Sequence, residues 1–224
     1  MKKFTFSLFI LLMLSASASA QKRTYAPNID VHIMPIALAF PDPSLRIGTE
    51  YMTSGRWSYG ISLGGGLNVL GLHRAPWNSL KSRKYNMVEI RPEVKFYWLR
   101  RENVGWYAAA EGVFLRVHRT LGKNDHYLSD STKLSFDGSK FSKSKAGFVV
   151  KLGTKFIVPE RLTIDLYTGF GLAKANVRYS RIENPREVSY DPFFEGENFF
   201  PGRKWTPLVS FGAKFGLLVW QKQE

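Results

Sequence analysis

From Met87 to Trp98 the chain alternates apolar and charged side chains, reading Met-Val-Glu-Ile-Arg-Pro-Glu-Val-Lys-Phe-Tyr-Trp. Val88, Ile90, Pro92, Val94, Phe96 and Trp98 share one parity; Glu89, Arg91, Glu93, Lys95 and Tyr97 share the other. A helix would scatter both sets around its axis, whereas successive side chains of a β-strand point to opposite faces. The stretch therefore predicts a strand with one apolar and one ionic face. Two folds can use it. A soluble sandwich puts the apolar face on a core and the charges in water. A transmembrane barrel puts the apolar face in lipid and the charges in a packed polar lumen.

The same period recurs along the chain. It predicts eight strands, Asn28–Phe40, Leu45–Thr53, Trp57–Val69, Met87–Trp98, Gly105–Thr120, Lys145–Val158, Leu162–Tyr179 and Trp205–Trp220. In Trp57–Val69 the large apolar set Trp57, Tyr59, Ile61, Leu63, Leu67 and Val69 opposes Ser58, Gly60, Ser62, Gly64, Gly66 and Asn68. A wet face is normally polar, not empty, but a narrow barrel needs empty positions beside long Arg and Lys side chains. Parity shifts between Glu111 and Arg116, which predicts a β-bulge near Gly112. The links Ser54–Arg56, Arg100–Val104 and Pro159–Arg161 are short, while Leu70–Tyr85, Leu121–Ser144 and Arg181–Lys204 read as long polar loops. Only the first link, at Pro41, breaks the alternation. Short turns alternating with long loops on an even number of strands mark outer-membrane barrels. Trp57, Tyr59, Trp98, Trp106, Tyr107, Trp205 and Trp220 lie near strand ends, where interfacial aromatic girdles belong. The expected fold is an all-β, eight-stranded antiparallel transmembrane β-barrel of the outer-membrane type.

Residues 1–20 read as a cleaved signal peptide. Lys2 and Lys3 supply the basic start, Phe4 to Leu14 the apolar run, and Ala18-Ser19-Ala20 the cleavage site before Gln21. The run is too short for a membrane-spanning helix, which needs about 20 apolar residues. The barrel domain is expected over residues 21–224, in the outer membrane. The absence of cysteine excludes disulfides, thiolate metal sites and a lipid-anchored N-terminal Cys. Removing Lys2 and Lys3 from 32 basic residues leaves 30 against 18 acidic ones, a net charge of +12. Behind an export signal this excess predicts anionic lipid or lipopolysaccharide phosphate as partner, and no nucleic acid. A merely solvated basic surface is the alternative.

The chain resembles the small outer-membrane β-barrel proteins of Gram-negative bacteria, the group of the OmpA transmembrane domain and OmpX-like barrels. The phrases that carry the resemblance are Ile47-Gly48-Thr49-Glu50-Tyr51, Arg56-Trp57-Ser58, Glu93-Val94-Lys95-Phe96-Tyr97-Trp98 and Tyr167-Thr168-Gly169-Phe170-Gly171. It departs from common outer-membrane proteins in ending Trp220-Gln221-Lys222-Gln223-Glu224, not on a terminal aromatic. Trp220 is then the residue left to serve in the assembly signal.

The candidate lumen set is Arg46, Glu50, Glu89, Arg91, Glu93, Lys95, Glu111, Lys151, Lys155, Asp165 and Lys214. Eight strands enclose an interior that side chains just fill, so these charges are expected to form a paired ionic plug; a thin polar channel is the alternative. Arg74, Lys81, Arg83 and Lys84, beside His73, could meet lipopolysaccharide phosphates. Phe193, Phe194, Phe199 and Phe200 could mark a surface for a protein partner, or fold back over the barrel mouth. The resemblance also brings in lipid A-modifying barrels, which use a His with Ser and an acidic residue. His126 with Ser129 and Asp130 is the nearest match, but nucleophilic catalysis needs all three groups held in register, which a flexible loop does not supply. His118, between Arg116 and Arg119, is expected to cap a strand end. The histidines His32, His73, His118 and His126 are scattered, so no metal and no cofactor is expected. The expected function is non-enzymatic: a structural or interaction barrel contacting lipopolysaccharide or a protein partner, in the limit an accessory subunit of a larger outer-membrane complex. The rivals are a lipid A-modifying enzyme, a narrow porin-like channel, and a soluble periplasmic binding barrel.

Overall fold

The computed structural model describes residues 26–39, 42–67, 82–101, 103–127, 133–158, 161–188 and 200–222. The expected signal peptide lies outside them. The strands are β1 (Asn28–Ile33), β2 (Leu45–Met52), β3 (Trp57–Leu67), β4 (Ser82–Arg100), β5 (Val104–Leu121), β6 (Asn124–Tyr127), β7 (Lys133–Phe136), β8 (Gly138–Val158), β9 (Leu162–Glu183), β10 (Arg186–Val188) and β11 (Gly202–Gln221). Eight of them form one antiparallel sheet in the order β1-β11-β9-β8-β5-β4-β3-β2, and β1 also pairs with β2, so the ring of hydrogen bonds closes. A separate three-stranded sheet, β10-β7-β6, stands on the long links at one end.

The period of two decides which way every strand faces. On β4, Glu89, Glu93, Lys95 and Tyr97 are buried inside, with Arg91 nearly so, while Val88, Ile90, Val94 and Trp98 are exposed outside. On β3 the small set Ser58, Ser62 and Gly64 turns inward, as the empty positions predict.

Four expectations need correction. First, β1 ends at Ile33, not Phe40. Pro35 fixes its φ and cannot donate to a ladder, so Pro35–Ala39 coils into a short 3-10 helix. The first link then runs over residues 34–44 at the same end as the other long links, and the alternation of short and long links has no exception. Second, there is no bulge at Gly112. Pairing of β4 with β5 lapses at Arg91 and Pro92, then resumes in the same register, Ile90 with Phe114 and Glu93 with Glu111. Inward positions continue evenly through Glu111, Val113, Leu115, Val117 and Arg119. What changes near Gly112 is the chemistry of each face, not the register.

Third, Ser82–Tyr85 belongs to β4 and is not loop. Fourth, much of Leu121–Ser144 and Arg181–Lys204 is strand: β6, β7, the first third of β8, the end of β9, β10 and the start of β11. These segments read as loop because their outward residues are polar. In Gly138–Gly147 the residues Phe141 and Lys143 point inward, while Lys140 and Ser144 are exposed.

The narrow wall leaves some positions no room for a side chain. A β carbon on Gly171 would run into the Phe148 carbonyl oxygen of the neighbouring strand, whereas one on Gly65 would meet nothing within 4 Å. Gly171→Val should therefore cost about 3 kcal/mol or more, the upper range for overpacking, because backbone cannot yield. Gly65→Ala should stay within about 0.5 kcal/mol. Urea midpoints of the refolded proteins check both, and equal midpoints would contradict the wall geometry.

Candidate functional site

The interior of the ring is one connected ionic network. Six cations (Arg46, Arg91, Lys95, Lys151, Lys155 and Lys214) meet six carboxylates (Asp30, Glu50, Glu89, Glu93, Glu111 and Asp165). Arg46 Nε and Arg91 Nε each lie 2.6 Å from Glu89, and Arg91 bridges on to Glu111 at 2.8 Å. Lys151 joins Glu111 to Glu93, and Lys214 binds Glu93 as well. Lys95 sits at the centre, 2.7 Å from Glu50 and 2.6 Å from Asp165. Lys155 ties Glu50 to Asp30. Phenols and hydroxyls fill the remaining lone pairs: Tyr97 and Ser58 donate to Glu50, and Tyr107 donates to Asp165. The Lys95 ammonium also lies 4.4 Å from the Tyr107 ring centre, and that of Lys151 lies 4.3 Å from the Tyr167 ring centre.

All eleven charged residues singled out from the sequence belong to this network. Sequence reasoning missed Asp30, although its parity opposite Val31 and Ile33 was available. It also missed His32, whose Nδ1 lies 2.8 Å from Asp30, and the tyrosine and serine donors. Burying single charges is costly, so equal numbers of opposite charges with further hydrogen bonds are what a dry interior requires.

Towards the long-link end the interior changes character. Tyr85, Met87, Leu115, Val117, Leu121, Phe136, Phe141 and Val177 form an apolar cluster across the ring. The first link folds into the mouth beside them, burying Met34, Ala37, Asp42 and Ser44. Tyr85 donates to the Pro43 carbonyl at 2.9 Å. Asp42 receives Lys143 Nζ at 2.6 Å and Arg119 at 3.1 Å. None of these three was singled out, because Lys143 and Asp42 sat in segments read as loop and turn. The expected bulge had also put Arg119 on the wrong face.

Burial alone would raise the Asp42 carboxyl; Lys143 and then Arg119 outweigh it and hold it below the usual carboxylate range. A carboxylate depressed in the folded state stabilises above its unfolded pKa and loses that contribution as pH falls through the folded value. At pH 7, amides of the upper halves of β5 and β8 should therefore exchange more slowly in the wild type than in Asp42→Asn. Below about pH 4, where a free Asp protonates, the difference should shrink. A difference constant from pH 7 to pH 2 would contradict the pairing.

The outer surface changes over at the same level. Val88 to Trp98 on β4, Trp106 to Phe114 on β5, Phe148 to Phe156 on β8 and Leu162 to Leu172 on β9 present an apolar band, with Phe148 57% and Phe170 61% exposed. Trp57, Trp98, Trp106 and Trp220 ring its short-turn edge, and Trp205, 67% exposed, stands towards the other end. Beyond the band the exposed outward residues of these four strands include Lys84, Asn86, Arg116, His118, Lys140, Ser144, Lys174, Arg178 and Ser180, with Ala146 the one apolar side chain among them.

The remaining candidates do not assemble. His118 lies on β5 three residues before its end, faces outward and makes no capping hydrogen bond among the described residues. Lys84 is exposed on β4, not in a loop, and Arg83 lies on the same strand with its side chain outside the description. Phe200 is half-buried, its ring centre 4.9 Å from Lys204 Nζ. His73, Arg74, Lys81, Ser129, Asp130, Phe193, Phe194 and Phe199 lie outside the described residues, as does the side chain of His126 on β6. Residues 6–192 match a family model described as "Protein of unknown function (DUF3575)". No curated protein and no solved structure matches the chain.

Proposed function

We propose, for a chain that belongs to the DUF3575 family, that it is a non-enzymatic outer-membrane barrel with a sealed interior, serving as a structural and interaction element. The observation that carries this reading is the reversal of polarity along single strands. Within the band, β4, β5, β8 and β9 are apolar outside and carry the ionic network inside; beyond it their outward residues turn largely polar, while β4, β5 and β9 turn Tyr85, Met87, Leu115, Val117 and Val177 inward and β8 adds Phe141. Strands of one sheet, in one register, reverse in this way when the medium around them changes from hydrocarbon to water. Each apolar stretch is nine or eleven residues long, the length of about 9–11 residues that a tilted strand needs to cross a bilayer. A band of exposed apolar side chains on this scale would be an aggregation liability in water.

The interior supports the sealed reading. Charges fill the membrane level, and the apolar cluster with the folded-in first link closes the long-link end. The expected activity is therefore none in conductance: the reconstituted barrel should be silent in planar bilayers. The direct test is fractionation of the native cells. The protein should stay with membranes through an alkaline wash and leave only with detergent. Release into the wash without detergent would overturn the reading.

A further inference from the structure

We propose that the outer wall formed by β4, β5 and β8 holds an anionic, phosphate-bearing lipid, with an acyl chain in a groove of the band and the phosphate on the cations above it. The inference deepens the membrane reading and rests on it. The groove has a volume of about 430 Å³ and is walled by Tyr59, Pro92, Val94, Ala110, Gly112 and Phe148. It owes its shape to the lapse in pairing at Pro92. Proline has no N–H to donate, the ladder to β5 is broken there, and the residues opposite on the outer face are the small Ala110 and Gly112.

The same wall carries the charge. The next outward position past Gly112 on β5 is Phe114, whose ring leans over Gly112, and the one after it is Arg116. Gly112 and Arg116 are thus roughly 13 Å apart along the strand, at about 3.3 Å per residue, a distance that takes the chain from the band to its edge. Lys84 and Lys140 flank Thr120 in register on β4 and β8, a second tier four residues, or about 13 Å, beyond Arg116. Lys84, Arg116 and Lys140 are all exposed. None of the three makes an ion pair among the described residues, and no carboxylate takes an outward position beside them on these three strands. A solvated surface would tolerate carboxylates here; a wall of unopposed cations at the edge of an apolar groove is complementary to one amphiphile, with a phosphate above and a hydrocarbon chain below.

The test uses the full chain reconstituted in phosphatidylcholine nanodiscs doped with lipid A or with phosphatidylglycerol, followed by detergent transfer and a count of retained lipid by native mass spectrometry. The wild type should keep the anionic lipid in preference to zwitterionic phosphatidylcholine. Arg116→Gln with Lys140→Gln should lower that retention by about 25-fold, since each basic residue near an anionic surface is worth roughly fivefold. Ala110→Leu, which fills the groove and leaves every charge in place, should lower it too; Thr168→Leu, with similar bulk on β9 outside the groove, should not. Inorganic phosphate should fail to displace the lipid, because it has no chain for the groove. Equal retention in wild type and in both groove and charge variants, with all of them inserted, overturns the lipid site and leaves the barrel reading standing. Failure of the wild type to insert at all overturns both.

Discussion

Replacing Glu93 by alanine should destabilise the barrel by about 3–5 kcal/mol, the cost of leaving buried charge without its partner. Glu93 faces three lysines. It accepts from Lys151 at 3.0 Å and from Lys214, and Lys95 lies 3.7 Å away. Lys95 keeps Glu50 and Asp165, and Lys151 keeps Glu111, but Lys214 is left with Asp165 at 3.8 Å. The surplus cation should therefore reside mainly on Lys214, and Glu93→Ala with Lys214→Met should recover part of the loss. The measurement is the urea midpoint of protein folded into phosphatidylcholine vesicles, read from tryptophan fluorescence, with the two single variants and the double closing a cycle. Glu187→Ala, on the exposed strand β10, is the control and should move the midpoint by less than about 0.5 kcal/mol. If Glu93→Ala behaves like the control, water fills the lumen and the interior is a pore, not a plug.

The same network shows what could be read from the residues alone. Alternation is a local property, so the inward parity of Glu89, Glu93 and Lys95 follows from Met87–Trp98 without knowing any partner strand. Which carboxylate meets which lysine does not follow. Lys155 reaches Asp30 across 125 positions of sequence, and that contact exists only because β1 closes the ring. The errors have one physical source. Above the band the outward side chains turn polar and apolar ones enter the inward face, so Val113 to Arg119 looked like a slipped register and Ser139 to Ser144 looked like a loop. Polar composition was taken for absence of a strand, when it belonged to a strand whose outward side chains are polar. The folded-in first link escaped for a different reason: a chain segment that enters its own barrel has no periodicity, and only burial of Met34, Ala37 and Asp42 reveals it.

That change in the outward face leads to the sharpest test of the medium. Val150 and Ser144 both point outward on β8, three turns of the period apart, and both are exposed. Val150 lies within the apolar band, between Ala110 on β5 and Phe170 on β9; Ser144 lies beyond its edge, beside Arg116. Around a barrel in water the two sites are equivalent, and an arginine at either should change stability by no more than about 0.5 kcal/mol. Around a barrel in a bilayer they differ in depth. Val150→Arg should then cost about 2–4 kcal/mol, as arginine does near the bilayer midplane, and Ser144→Arg about 0–1 kcal/mol. The comparison is made on vesicle-folded protein by urea titration, with Val150→Ala included to separate lost apolar contact from introduced charge. A large gap between the two arginine variants that persists against the alanine reference places hydrocarbon at Val150 and water at Ser144. Two equal, small effects would mean that the band faces water, and the membrane reading would fall with the lipid site built on it.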